Sequence, residues 1–88
     1  MRKIVLTDAF KRRLNSFIRQ HRELDPVIEE TFLIMESNIH NPLLSTHKLR
    51  GKLSKYYACK INYSYRIVFR FDNQYIYPQS IGSHDAVY

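Results

Sequence analysis

The apolar residues of this chain change their spacing once, from a helical period in the first half to alternation in the second. The first helical stripe consists of Phe10, Leu14, Phe17 and Ile18. The second consists of Ile28, Phe32, Met35 and Ile39. Segments that keep helical and strand periods apart are typical of α+β proteins. The sequence therefore predicts an α+β fold, with a short N-terminal strand and a two-helix hairpin before an antiparallel β-meander.

Capping residues and prolines set the expected bounds of the helical part. A short apolar run, residues 4–6, predicts a strand, and Thr7 or Asp8 then caps the first helix. Asp25-Pro26 places a capping residue before a proline, which favours the start of a second helix. Asn41-Pro42 is expected to end it, because proline cannot continue the hydrogen-bond ladder. We interpret residues 41–46 as a surface loop.

Two alternating segments predict the first hairpin of the meander and its register. Their apolar sets are Tyr57, Cys59 and Ile61 in one strand, and Tyr65, Ile67, Phe69 and Phe71 in the next. Directly opposed residues of an antiparallel pair share a face, so Cys59 should pair with Ile67 and Tyr57 with Phe69. This register sets Lys60 opposite Arg66. It requires a three-residue connection, Asn62-Tyr63-Ser64, because a shift by one residue would exchange the two faces.

The last strand should follow a turn at Asp72-Asn73-Gln74 and run from Tyr75 to Ile81. Pro78 lies inside it and has no N–H to donate to the ladder. We therefore expect either an edge location or a bulge near Pro78.

The charges of the second half point to an anionic partner. The formal net charge of the chain is +6, and residues 47–70 contain seven cations and no acidic residue. These cations are Lys48, Arg50, Lys52, Lys55, Lys60, Arg66 and Arg70, interleaved with tyrosines. Cations bind phosphates and aromatic faces stack on bases, which favours an RNA-directed activity. A strongly basic domain also suits an acidic protein, so charge alone does not choose between the two.

Length and cysteine content limit the remaining classes. The 88 residues allow one domain, residues 1–88, with a modest core. No long apolar run or signal pattern is present, so we expect a cytoplasmic protein without membrane contact. The single cysteine, Cys59, falls on the apolar face and is expected to be buried. The histidines lack a close ligand spacing, so neither a metal nor another cofactor is predicted.

Three sequence motifs in the second half, together with the predicted order of strands and helices, indicate a resemblance to a known family. They are H-K-L-R-G-K-L from His47, A-C-K-I-N-Y-S-Y-R-I-V-F from Ala58, and the terminal I-G-S-H-D-A-V-Y. The chain resembles the RelE/ParE superfamily of bacterial type II toxins, most closely its YafQ-like branch. The resemblance implies that family's fold and a cognate antitoxin as inhibitor. It also implies cleavage of messenger RNA in the ribosomal A site, and binding of operator DNA by the toxin–antitoxin complex.

The resemblance also assigns site residues. His47 matches the histidine and Gly51 the glycine of the family's H-x-L-x-G motif, and Arg66 matches the arginine that RelE uses on the phosphate. His84 matches the C-terminal histidine of YafQ, and Tyr88 the aromatic residue four positions later. Lys60 stands where YafQ-like toxins carry a histidine. The chain departs from YafQ at Ser64 and Tyr65, which replace its Asp-Trp pair, so the identity of the general base stays open.

These residues suit RNA cleavage by attack of the 2′-hydroxyl on the adjacent phosphate, which requires no metal. Arg66 and Lys60 are expected to stabilise negative charge, and His84 to transfer a proton, because imidazole titrates near neutrality. His47 is the second candidate, as a base or as a group that positions RNA, and Tyr88 is expected to stack on a base or help orient the phosphate. Asp85 either orients His84 or caps the last turn. The RNA-binding candidates are Lys48, Arg50, Lys52, Lys55, Arg70 and Tyr65, although the register favours a core role for Tyr65.

The expected partners are therefore an antitoxin, mRNA and the ribosome with its 16S rRNA. Two other functions fit the same architecture. One is a ParE-like toxin that binds DNA gyrase, and the other is a degenerate toxin kept as an antitoxin-binding or autoregulatory subunit.

Overall fold

The computed structural model describes residues 1–87, apart from the side chain of Ala86. Its strands and helices are β1 (Lys3–Ile4), α1 (Asp8–Gln20), α2 (Asp25–Ser37), β2 (His47–Lys48), β3 (Tyr57–Lys60), β4 (Tyr65–Phe71), β5 (Tyr75–Ser83) and α3 (His84–Val87). Short 3₁₀ turns lie at Arg22–Leu24, Pro42–Leu44 and Gly51–Leu53. The predicted α+β order, with a helical hairpin before the antiparallel strands, is confirmed.

Local sequence signals account for the start of both long helices. The Thr7 hydroxyl accepts a hydrogen bond from the Phe10 N–H at 3.1 Å, which satisfies one of the donors left open at the start of α1. Helix α2 begins at Asp25 and Pro26, but Asp25 is its first residue rather than its cap; the cap position is Leu24, which makes no side-chain capping hydrogen bond. Proline is favoured in the first turn because that turn needs no N–H donor.

The C-terminal end of α2 differs from the prediction. The helix ends at Ser37, and Asn38 is already extended, with φ −158° and ψ 102°. Ile39 is fully buried although it lies outside the helix. Its apolar character fitted the helical spacing, but its backbone is not helical. The predicted loop after Asn41 includes the 3₁₀ turn Pro42–Leu44, in which Leu44 is buried in the core.

The strands form one five-stranded sheet in the described chain, in the order β1-β5-β4-β3-β2. The predicted register of β3 and β4 is confirmed: Tyr57 pairs with Phe69 and Cys59 with Ile67. The Asn62 side chain stabilises the connection, because its Oδ1 accepts hydrogen bonds from the backbone N–H groups of Ser64 and Tyr65, each at 2.9 Å.

The N-terminal strand is shorter than predicted and begins earlier. β1 comprises only Lys3–Ile4 and pairs in parallel with the start of β5, which the sequence pattern did not reveal. The Val5 N–H still donates to the Ile76 carbonyl at 2.8 Å. A parallel partner that is distant in sequence leaves no local signal, so only the tertiary structure identifies it.

The bulge predicted near Pro78 is present. Val68 faces Ser80 and Phe69 faces Pro78, so Gln79 is the extra residue of β5. Beyond the bulge, β5 continues to Ser83, two residues further than predicted. The extra residue shifts the alternation of β5 by one, so Pro78 and Ser80 lie on opposite faces of the sheet.

The two faces of the sheet have separate apolar clusters. The larger cluster joins the helices to one face, through residues that include Phe17, Met35, Ile67 and Phe69. The smaller cluster is formed by Leu49, Ala58 and Val68, with Leu53, Tyr56 and Val87 packed against it. No helix among residues 1–87 has the length and apolar character required to cross a membrane.

Candidate functional site

The candidate site lies on the sheet face opposite α1 and α2. We call this surface the outer face and define it by Ala58 and Lys60 on β3 and Arg66 and Val68 on β4. Ala58 pairs with Val68, and Lys60 pairs directly with Arg66. Because successive side chains alternate between faces, all four share one side of the sheet. Two cations predicted to act together are therefore adjacent cross-strand neighbours.

The guanidinium of Arg66 is held by the hairpin that precedes it. Its Nη1 donates hydrogen bonds to the carbonyl oxygens of Asn62 at 2.8 Å and of Tyr65 at 3.2 Å. The side chain is half-buried, whereas Lys60 is exposed. Within the described residues both hydrogen bonds are donated by Nη1, so the Nη2 and Nε groups of the guanidinium can donate to an anion.

His47 reaches the outer face through a strand that the sequence did not predict. It lies on β2 and pairs with Ala58, which puts it on the same side of the sheet as Lys60 and Arg66. Its Nδ1 lies 3.1 Å from the Ser45 carbonyl oxygen. Gly51, the other residue of the motif, has φ +67° and starts the following 3₁₀ turn. Glycine fits this backbone role because it adopts positive φ without steric cost.

His84 lies where β5 ends beside the β3–β4 hairpin. Ser83 pairs with Tyr65 and Gly82 with Arg66, so His84 follows directly after the residues that flank the arginine. It is exposed and begins α3, and its Nδ1 lies 3.6 Å from the Asp85 Oδ1. That distance suits an ion pair rather than a hydrogen bond. Tyr88, the other predicted C-terminal residue, lies outside the described residues.

Some predicted RNA-binding residues lie apart from this group. Tyr65 faces the helices, where its ring centroid is 5.1 Å from that of Phe17 and 4.7 Å from that of His21. His21 is therefore half-buried among aromatic rings. Lys48 pairs with Tyr57 and shares the helical side. Tyr65 and Lys48 therefore lie on the opposite side of the sheet from Lys60.

The other cations extend the positive surface. Arg50, Lys52 and Lys55 are exposed in the connection between β2 and β3. Arg70 is on β4, four residues beyond Arg66, and its guanidinium lies 4.3 Å above the centre of the Tyr77 ring. This contact is a cation–π interaction, which fixes the side chain over an aromatic surface.

The arrangement of the described residues favours neither a metal site nor a cysteine nucleophile. Among residues 1–87 no three His, Cys, Asp or Glu side chains are grouped to hold a metal ion. Cys59 is fully buried on the helical side, and burial raises the pKa of its thiol to about 12. A thiol in this environment stays protonated at neutral pH and is unreactive.

A cavity at the margin of the outer face has no counterpart in the sequence pattern. We call it the edge cavity; its volume is about 460 Å³. Its lining includes Arg13, Tyr56, Val68, Gln79, Ser80 and Val87. The Arg13 Nη1 donates to the Gln79 carbonyl oxygen at 2.6 Å, which fixes α1 against the bulge of β5. The lining comes from distant parts of the chain, and for this reason no local sequence pattern predicted the cavity.

Comparison of the sequence finds no matching family model and no matching curated protein. Comparison of the structure does find relatives. A copper-bound mutant toxin from Helicobacter pylori is 21% identical, with a TM-score of 0.81 over 100% of both chains. YafQ from Escherichia coli is 11% identical, with a TM-score of 0.82 over 100% of this chain and 99% of that one. The YoeB–YefM complex from Staphylococcus aureus is 21% identical, with a TM-score of 0.75 over 96% and 98%.

These similarities span nearly the whole chain in both directions, so they concern the complete arrangement of helices and strands. At such low identity they establish the architecture. The chain shares its fold with these solved proteins, YafQ and the Helicobacter pylori toxin among them.

Proposed function

We propose that this protein is the toxin of a type II toxin–antitoxin system and cleaves mRNA, in the ribosomal A site, without a metal ion. The observation that carries the proposal is the cross-strand pair of Lys60 and Arg66 on the outer face. His84 is two residues beyond Gly82, which pairs with Arg66. Like charges opposite each other destabilise a sheet. Such a pair is best explained by an anion that binds between the two strands.

The electrostatics of this surface suit a polyanionic substrate. The whole segment from residue 37 to residue 71 lacks acidic side chains. Arg50, Lys52 and Lys55 are exposed on the connection beside the outer face. A continuous positive surface attracts phosphates over a distance and raises the rate of encounter.

The proposed chemistry needs positioning, proton transfer and charge stabilisation. The 2′-hydroxyl attacks the adjacent phosphorus, and the bond to the 5′-oxygen of the next nucleotide breaks, which leaves a 2′,3′-cyclic phosphate. Arg66 stabilises the charge that develops on the phosphate oxygens, and Lys60 contributes a second positive charge. Of His84 and His47, one takes the proton from the 2′-hydroxyl and the other donates a proton to the leaving 5′-oxygen.

Support for a protein inhibitor comes from the same surface. A cognate antitoxin would cover Lys60 and Arg66 with carboxylates, because an acidic segment complements the charge of the outer face. DinJ–YafQ from Escherichia coli is a toxin–antitoxin complex that contains a chain of this fold. An antitoxin variant without the acidic residues should bind at least about tenfold more weakly. Unchanged affinity would reject this mode of inhibition.

The first test is induced expression of the protein with and without the neighbouring open reading frame, followed by mapping of transcript 5′ ends. We expect growth arrest and new ends within translated regions. Both should vanish in Arg66→Ala and His84→Ala, with a loss of cleavage of about 100-fold or more. Arg19→Ala is the matched arginine control, because Arg19 is exposed on α1. His40→Ala is the histidine control, because His40 is exposed outside the site.

Other outcomes would identify the alternatives. Arrest with intact transcripts and altered plasmid supercoiling would indicate a gyrase inhibitor of the ParE type. Normal growth without the antitoxin would indicate a degenerate subunit. Cleavage that persists in both site variants would leave the activity in place and reject the assigned residues.

A further inference from the structure

The edge cavity is separated from the proposed scissile site by one step along β4. Its floor includes Val68 and Ser80, which pair with each other across β4 and β5. Arg66 and Gly82 form the neighbouring same-face pair. Two residues of a strand span about 6.6 Å, so the backbone of Arg66 lies about that far from Val68 in the cavity floor.

The walls of the cavity have the chemistry of a base-binding site. Tyr56 contributes an aromatic surface, and the connection before β3 holds it over the smaller apolar cluster. Gln79 and Ser80 contribute an amide and a hydroxyl, which can both donate and accept hydrogen bonds. RNA bases are commonly recognised in this manner, by stacking on aromatic rings and by hydrogen bonds to their edges.

Size and charge also favour a nucleobase over other occupants. The volume of about 460 Å³ lies in the range of small-molecule sites. Arg13 is the charged member of the lining given above, and no acidic residue belongs to it. The Arg13 guanidinium is held against the Gln79 carbonyl oxygen, so a positive charge stands at the rim where a nucleotide phosphate would pass.

We propose that the edge cavity accepts the nucleobase next to the scissile phosphate and sets the base preference of cleavage. This inference rests on the proposed ribonuclease function and adds a specificity-determining site to it. Gln79 reads the edge of the base, Tyr56 stacks on its face, and Ser80 forms the floor beneath it.

Binding tests the inference in the isolated protein. Isotope-labelled protein is titrated with trinucleotides that are 2′-O-methylated to prevent cleavage and that differ in one base. Amide signals of Tyr56, Val68 and Ser80 should shift together with those of Lys60 and Arg66. Ser80→Leu, which narrows the cavity, should weaken binding at least about tenfold. Gln79→Ala should change the ratio of affinities between bases at least about fivefold. Gln74→Ala is the control, because Gln74 is exposed in the β4–β5 turn.

Cleavage in cells separates this inference from the proposed function. In the 5′-end maps, Gln79→Ala should still cleave but shift the base frequencies beside the cut at least about fivefold. An unchanged preference in this variant, with amide shifts confined to Lys60 and Arg66, would overturn the specificity site and leave the ribonuclease intact. The absence of new 5′ ends for the unmodified protein would instead reject the ribonuclease. Gln79 is exposed, so its truncation tests the inference even if Ser80→Leu fails to fold.

Discussion

Lys60 and Arg66 are directly opposed on adjacent antiparallel strands, so that two positive side chains stand next to each other on the outer face. Their backbone positions are fixed by the two preceding apolar pairs of the ladder, Cys59 with Ile67 on the helical face and Ala58 with Val68 on the outer face. The packing of both faces therefore maintains a like-charge contact that is unfavourable for the isolated protein. This contact leads to the first prediction.

Lys60→Gln should stabilise the fold and weaken the activity. Removing one of two opposed cations relieves repulsion, so the free energy of unfolding should rise by about 0.2–1 kcal/mol. The rate of RNA cleavage should fall at least about tenfold, because a charge near the phosphate is lost. Urea denaturation and single-turnover cleavage on translating ribosomes measure the two effects. Lys3→Gln, an exposed lysine on β1, is the control. A loss of stability in Lys60→Gln would contradict the repulsion argument.

Asp85→Asn should have a small effect on cleavage. The Asp85 carboxylate lies 3.6 Å from the His84 imidazole, and both side chains are well exposed to solvent. Exposed ion pairs contribute little, so the cleavage rate should fall by less than about fivefold. His84→Ala, in contrast, should remove at least about 100-fold. Equal losses in the two variants would show that the carboxylate is essential for orienting His84.

Asp72→Ala should destabilise the protein in a pH-dependent manner. Backbone N–H groups of Gln74 and then Tyr75 donate to the Asp72 carboxylate and lower its pKa. A lowered carboxyl pKa stabilises the folded state above the pKa of the unfolded chain, and this contribution is lost as the pH falls through the folded-state value.

The difference in stability between the wild-type chain and Asp72→Ala should therefore be larger at pH 7 than in acid. Thermal unfolding across this range measures it. Asp72→Asn retains an oxygen acceptor but does not titrate, so its difference from the Ala variant should not depend on pH in this range. A constant difference between wild type and Asp72→Asn would contradict the assigned cause of the pKa shift.

Cys59 should resist alkylation in the folded protein. Burial raises the pKa of its thiol to about 12, so the reactive thiolate is scarce at pH 8.5 as well as inaccessible. Reaction with iodoacetamide should be at least about 100-fold slower than for the same chain in urea. Mass spectrometry over time measures the rate. Rapid modification without unfolding would show that β3 opens locally.

The sequence alone determined the class of the fold and the central hairpin. Alternation with a period of two specified which residues of β3 and β4 face the core, and a single register satisfied both strands. That register also predicted the Lys60–Arg66 pair, because the residues between the core-facing positions of the two strands must pair on the opposite face. Pro78 predicted a bulge for a local steric reason, the missing N–H.

The tertiary structure decided what depends on contacts between distant segments. The parallel pairing of β1 with β5 and the two-residue strand that brings His47 to the outer face leave no periodic signal. Ile39 misled the prediction of the end of α2, because burial follows from contact with the core in any backbone conformation. The edge cavity likewise arises where α1, β5, α3 and the connection that precedes β3 meet. Local patterns specify the elements, whereas packing specifies which of their side chains meet.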